Sequence, residues 1–204
     1  WAEAAANREG LPLFRVQHHH AHLVSCLADN GEPGPAIGLV CDGTGYGTDG
    51  TIWGGEVLAG GPEGCERLGH LLPVPLPGGE AAVREPWRMA AVYLHLTYGA
   101  DFAAGVPPTV LTGFRAESWP LLAQAMARQV NTPLASSAGR LFDAVAALLG
   151  LGGEAAFEGQ KAMALEALAQ PTGEGYPGAL TEREGQLLLD PRPLIAALVE
   201  DRRQ

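Results

Sequence analysis

The chain has 204 residues, 47% of them apolar, and its 13 basic against 23 acidic side chains give a formal charge of −10. That apolar content suffices for a packed core, while the negative balance argues against a general nucleic-acid surface, which needs clustered cations to displace phosphate counterions. No apolar run of about 18 residues occurs and no charged stretch followed by an apolar one opens the chain, so neither a membrane span nor a secretory leader is expected.

Residues 1–17 read as a short helix followed by a short strand at Leu13–Val16. Residues 18–30 read as a helix with His22, Leu23, Cys26 and Leu27 on one face, ended by Asn30-Gly31. After the Glu32-Pro33-Gly34-Pro35 turn, Ala36–Cys41 is an apolar strand, Asp42–Gly50 a glycine-rich loop and Thr51–Leu58 a second strand. Together they predict a hairpin with a long tip. Arg67–Val74 is a candidate third strand. Pro77-Gly78-Gly79 breaks the chain before a helix from Glu85 to Tyr98, with Pro86 in its first turn. A loop at Gly105–Thr112 precedes helices at Pro120–Val130, Ala138–Leu149 and Gly159–Ala169. Residues 171–186 are turn-rich, Gln186–Leu189 is a candidate strand, and Asp190 with Pro191 opens a last helix to Asp201. Strands come first and helices later, which predicts an α+β or split α/β fold and not alternating βαβ units.

Four histidines stand among the five residues His18-His19-His20-Ala21-His22. Residues four apart on a helix share a face, so His18 and His22 can hold one cation while His19 and His20 point elsewhere. A histidine-rich surface turn is the plain alternative. Two histidines make an incomplete site and require a carboxylate. Asp42 ends the first strand and opens Gly43-Thr44-Gly45-Tyr46-Gly47-Thr48-Asp49-Gly50. Glycines there let backbone N–H groups approach a phosphate. The segment is neither a dinucleotide fingerprint nor a Walker A loop, and a hairpin tip rich in turn residues is its other reading. His18, His22 and Asp42 form a nitrogen and oxygen set suited to zinc or ferrous iron, with positions left for phosphate or carbonyl oxygen.

Cys26, Cys41 and Cys65 share no metal-knuckle spacing and cannot all pair, which points to reduced thiols in a cytoplasmic protein. Cys41 adjoins Asp42 on a strand, where alternation sends the two side chains to opposite faces. Arg84, Glu85, Trp87 and Arg88 read as a helix start with Trp87 buried, or as the wall of a cleft. Trp53, His70 and His95 read as packing residues, and Ser136 and Ser137 as helix caps. The first residue is Trp1 and not Met, so a segment of a longer polypeptide is expected.

Five stretches carry a family resemblance: Val16–His22 (VQHHHAH), Asp42–Glu56 (DGTGYGTDGTIWGGE), Pro75–Ala90 (PLPGGEAAVREPWRMA), Ser136–Gly150 (SSAGRLFDAVAALLG) and Phe157–Ala169 (FEGQKAMALEALA). Together they resemble HypF, the carbamoyltransferase family of nickel–iron hydrogenase maturation. The wider likeness is to the ASKHA superfamily of split, ATP-binding folds (actin/Hsp70-like), whose TsaD branch transfers threonylcarbamoyl to tRNA. The resemblance implies a TsaD-like domain over 1–204: a lead-in at 1–17, a metal and phosphate-loop subdomain at 18–80, a mainly helical part at 81–204, and an incomplete second lobe.

For the site, it implies a divalent metal, iron or zinc, on His18, His22 and Asp42, which are also the catalytic residues. Nucleotide contacts are expected from the loop at Gly43, Thr44, Gly45 and Gly47. Asp143 is similar to a nucleotide-contacting aspartate of TsaD, and Gly159 to a glycine of its ribose pocket. HypF-like proteins make carbamoyl-adenylate from carbamoyl phosphate and ATP in a YrdC-like domain, then pass the carbamoyl group to the C-terminal cysteine of HypE. The REPWR segment then becomes a candidate docking surface for HypE, and no nucleic acid or membrane partner is implied. This chain lacks the acylphosphatase-like, zinc-finger-like and YrdC-like segments and ends before the family's Ser-Gly-Gly motif and last metal-binding aspartate. A non-catalytic nucleotide- or partner-binding fragment stays open beside the enzyme reading. Threonylcarbamoyl transfer to tRNA is a further alternative, against which the acidic charge speaks.

Overall fold

The apolar alternation on either side of the glycine-rich segment pairs as expected, and the resulting hairpin is the middle of a mixed sheet. The computed structural model describes residues 1–110, 113–170 and 175–203. Helix α1 (Ala2–Glu9) ends at Gly10 in the left-handed region, and α2 (His18–Asp29) follows. The strand expected at Leu13–Val16 does not form; Phe14 and Val16 stay exposed and find no sheet edge. Strands β1 (Ala36–Tyr46), β2 (Ile52–Gly61), β3 (Gly64–Leu71) and β4 (Val74–Pro75) come next. Then follow α3 (Glu80–Arg84), α4 (Trp87–Tyr98), α5 (Phe102–Gly105), α6 (Trp119–Ala127), β5 (Leu134–Ser137), α7 (Ala138–Leu148) and α8 (Gln160–Leu168). The hairpin β6 (Ala179–Arg183) and β7 (Gln186–Asp190) leads to α9 (Arg192–Asp201). Residues 111–112 of the expected loop and 171–174 of the turn-rich stretch lie outside the described residues.

The sheet runs β4-β5-β2-β3-β7-β6, with β1 also paired to β2. Hairpin neighbours are antiparallel, while β2–β5 and β3–β7 are parallel. One sheet therefore takes strands from both sides of residue 80.

Four elements differ from the sequence reading. β1 does not stop at Cys41 but continues through the glycines to Tyr46, leaving a short turn as the hairpin tip. β5 was not expected: a four-residue strand ending in two serines carries too short a period to read, and it forms because Ala135–Ser137 pairs in parallel with Ile52–Gly54. The third strand ends at Leu71, and Val74-Pro75 pairs separately with β5. The turn-rich stretch contains β6, joined to β7 across Glu184-Gly185, both at positive φ. Smaller shifts sit at helix starts. Pro86 caps α4, which begins at Trp87, and Asp190 accepts the Arg192 N–H at 2.9 Å ahead of α9.

Two apolar clusters hold the layers. The larger joins α4, α7 and α9 through Met89, Val92, Tyr93, Ala144, Leu148, Ile195 and Val199. α4 is buried at six consecutive positions from Met89 to Leu94, because it is covered on more than one side. The smaller joins Leu23 and Leu27 of α2 to Val40, Trp53 and Leu58 of the sheet. The buried face of α2 is thus His19, Leu23 and Leu27, and not the face through Cys26, which is exposed. A stripe centred on positions four apart leaves His18 and His22 at its margin, looking out over the end of β1.

Leu148 is fully buried and Leu180 on β6 is 64% exposed. Leu148→Ala is expected to lower unfolding free energy in urea by about 2–5 kcal/mol, whereas Leu180→Ala should stay within about 0.5 kcal/mol of the parent.

Candidate metal centre

The strand that carries Asp42 is bulged at that residue. Cys41 faces Gly55 and Gly45 faces Trp53, so β1 advances four residues while β2 advances two. The two surplus residues lift Asp42, Gly43 and Thr44 off the ladder. Gly54 beneath them leaves the necessary room: a Cβ there would lie 2.5 Å from the Asp42 carbonyl oxygen. Ser137 fixes the bulge from the other side. Its hydroxyl lies 2.7 Å from the Gly43 carbonyl and 3.2 Å from that of Asp42. The same oxygen accepts the Arg140 N–H and caps α7, as expected for a serine at that place.

Val40 faces α2 from the same strand, and two residues on, Asp42 meets the histidines. Asp42 Oδ2 lies 2.7 Å from His18 Nε2 and 3.6 Å from His22 Nε2, and the two Nε2 atoms are 3.1 Å apart. Asp42 Oδ1 accepts the Gly43 N–H at 2.6 Å, which turns the other oxygen towards the imidazoles. Burial alone would raise the Asp42 pKa, but the His18 and Gly43 hydrogen bonds outweigh it and hold the carboxyl below its usual range. Donors bonded at ~2.0–2.2 Å to a tetrahedral ion stand about 3.3 Å apart. The three measured separations bracket that spacing, and no other His, Cys, Asp or Glu group among the described residues converges in this way. The donor set therefore fits a divalent cation.

Helix α2 is seated by the histidine that sequence reasoning set aside. His19 is fully buried, its ring 5.9 Å from that of Trp53. Burial holds its pKa below the ordinary imidazole value, against the pull of the Glu56 and Asp42 carboxylates. Gly45 is the floor for both rings: a Cβ on it would come within 2.3 Å of His19 Cε1 and 2.8 Å of His18 Cδ2. Gly47 is likewise packed against Trp53. Gly45 and Gly47 are close-approach positions for side chains of this chain.

A cavity of about 380 Å³ opens beside the cluster, lined by Asp42 and Gly43, the α7 start at Ala138-Gly139, Asp143 and Gly159. The structure thus brings together Asp42, Gly43, Asp143 and Gly159, which lie far apart in sequence. Thr44, Gly45 and Gly47 do not line this cavity. Cys41 also borders it. Burial, with the Glu56 carboxylate nearby, pushes the Cys41 thiol up, so it is a poor thiolate at neutral pH. Asp143 and Arg140 are both buried, with Arg140 Nε 2.8 Å from Asp143 Oδ2. Desolvation nevertheless pushes Asp143 up to about 6, against the opposing pull of Arg140 and Lys161. The REPWR cluster lies elsewhere: Glu85 pairs with Arg88 and Arg115 around a buried Trp87. His70 bonds the Leu71 carbonyl and His95 packs on Trp119, both as structural groups.

Sequence reasoning missed a buried polar group behind the site. Glu56 is fully buried and accepts the Gly54 and Gly55 N–H groups, the Ser136 hydroxyl at 2.6 Å and the Arg67 guanidinium at 2.6 Å. The available signal was one acidic residue in the middle of an otherwise apolar and glycine-rich strand.

Comparison with known proteins bears on these residues. Residues 38–204 match the family described as carbamoyltransferase, Kae1-like domain, second subdomain, and residues 1–29 match the HypF Kae1-like domain. The chain is 49% identical over 173 residues to carbamoyltransferase HypF2 of Cupriavidus necator, covering 85% of this chain and 21% of that protein. It is 42% identical over 212 residues to carbamoyltransferase HypF of Synechocystis, covering 97% and 28%. It therefore spans about a quarter of such relatives. It is also similar to a crystal structure of full-length HypF in the phosphate- and nucleotide-bound form, with a TM-score of 0.85, 36% identity, and coverage of 95% of this chain and 25% of that one. The match supports the mixed α/β, ASKHA-type architecture expected from sequence.

The raised pKa of Asp143 has a definite sign. Between about 4 and 6 the folded chain holds a proton that the unfolded chain has released, so this contribution is complete at low pH and is lost as pH rises through about 6. Asp143→Asn cannot ionise. Its stability relative to the parent should rise by on the order of 2 kcal/mol between pH 4 and pH 7, read from urea unfolding at both; a constant difference would refute the assignment.

Proposed function

Because this chain belongs to the HypF carbamoyltransferase family, we propose that it holds the metal and the nucleotide from which such an enzyme transfers a carbamoyl group. The observation that carries this reading is the convergence of His18 and His22 on Asp42, which also lines the cavity containing Asp143 and Gly159. A divalent zinc or iron ion there would supply Lewis acidity towards a carbonyl oxygen. The protein's own part is orientation. Asp42 is aimed by the Gly43 N–H, and the Ser137 hydroxyl ties that segment to α7. The start of α7 offers backbone N–H groups and a positive helix end to a phosphate, and Asp143 and Gly159 line the space for the rest of an adenine nucleotide. ATP and carbamoyl phosphate are the substrates, by way of carbamoyl-adenylate.

The acceptor thiol comes from outside. The Cys41 thiol is held protonated, Cys26 and Cys65 do not line the cavity, and a negatively charged chain is a poor partner for a polyanion. A HypE-type C-terminal cysteine is slender enough to enter. Three unpaired thiols fit a reducing compartment such as the cytoplasm. The span of about a quarter of the relatives' length favours a second reading, in which this chain by itself binds metal and nucleotide without turnover.

Two outcomes test the proposal. The His18→Ala/His22→Ala double variant should lose bound metal in elemental analysis while keeping its fold, since both side chains lie outside the packed face of α2; unchanged metal content would sink the reading. In a complete enzyme carrying this segment, Asp42→Ala should abolish carbamoylation of a HypE-type C-terminal cysteine, seen by intact mass, and Cys41→Ser should preserve it. The reverse pattern would exchange their roles.

A further inference from the structure

Two supports carry the metal cluster, and both end on one carboxylate. The first runs to α2. Glu56 Oε2 accepts Arg67 Nε at 2.6 Å, and the Arg67 guanidinium lies 4.0 Å over the Trp53 ring. Asp49 clamps that pair, accepting Trp53 Nε1 at 3.0 Å through one oxygen and Arg67 Nη1 at 2.9 Å through the other. The opposite partner of Trp53 is His19, the buried anchor between the two ligand histidines. The second support runs to Asp42. Glu56 Oε1 accepts the Ser136 hydroxyl, and the next residue, Ser137, holds the carbonyls of Asp42 and Gly43. The same Oε1 takes the N–H groups of Gly54 and Gly55, directly beneath the bulge.

Stability alone does not explain this arrangement. A buried ion pair loses much of its attraction to desolvation, and apolar groups of the same volume often serve the fold as well. What a carboxylate adds is direction: two oxygens receive four donor groups from β2, β3 and β5. We propose that Glu56 is the positioning residue of the metal cluster. Without touching the ligands, it sets the distance between the helix bearing His18 and His22 and the bulge bearing Asp42. The inference rests on the metal reading above and extends it to the residue that maintains the site.

The test compares Glu56→Gln with the parent by zinc competition against a chromophoric chelator, and by amide hydrogen exchange without metal. Outer supports of metal ligands typically cost about 10–100-fold in affinity when altered, so Glu56→Gln should weaken zinc binding by that factor. Exchange should quicken in α2 and at Asp42–Gly45 while α4 stays protected. Arg67→Lys, which keeps charge but loses the planar fork, should move both readouts the same way, and it replaces Glu56→Gln should that variant not fold. Trp53→Phe, which keeps a ring against His19, should bind zinc more tightly than Trp53→Ala. Leu148→Ala, a core change away from these supports, should lower stability without weakening zinc binding. Parent-like affinity and exchange in folded Glu56→Gln would overturn the inference, as would faster exchange in α4 and α2 alike. If the parent binds zinc no better than His18→Ala/His22→Ala, the metal reading fails, and local exchange alone then decides the role of Glu56.

Discussion

The surplus of two residues in β1 opposite β2 is the constraint on which the site depends. Val40 packs on Leu23 of α2, and two-residue alternation gives Asp42 the same face; the bulge sets how closely its backbone lies to the neighbouring elements. The bulge releases Asp42 and Gly43 from the pleat, Gly54 allows the released backbone to lie close, and Ser137 holds it. Asp42 thus meets the histidines where the strand is bulged, and the same segment forms the cavity wall shared with α7. The glycine-rich segment is thus part of a strand, and its glycines serve contacts within the chain as well as the cavity.

Polar groups are distributed in two layers around this bulge. The outer layer, His18, His22 and Asp42, is partly exposed. The inner layer, His19, Trp53, Arg67, Glu56 and Ser136, is largely closed to water. A low-dielectric interior strengthens hydrogen bonds but penalises any that are missed, so the inner layer tolerates few alternative arrangements. Such rigidity suits a site whose donors must stay within a few tenths of an ångström of a common centre. The apolar cluster of α4, α7 and α9 supports the same end from further away, because α7 contributes both to that core and to the cavity wall.

The order of the pieces also has a structural meaning. Residues matched by the two family descriptions meet at His18, His22 and Asp42: the histidine helix lies in the match over 1–29 and the Asp42 strand in the match over 38–204. Each half alone offers an incomplete donor set. The smaller apolar cluster, in which Leu23 and Leu27 cover Val40 and Leu58, joins them.

Much of this chain was legible as sequence. Histidines four apart on a helix, an aspartate following an apolar run, and helices over about Glu85–Tyr98 and Ala138–Leu149 follow from local periodicity and side-chain chemistry, which act over a few residues. The long matching stretches identified the family for the same reason, since they are contiguous. What the tertiary structure alone decided is non-local. β5 exists because β2 accepts it, and Gly45 is a glycine because two imidazoles rest on it. Glu56 gathers donors from residues 54–55, 67 and 136. Sequence periodicity records which way a side chain faces within its own element; it holds no record of what another element places opposite, and at this site that opposing partner determines the geometry.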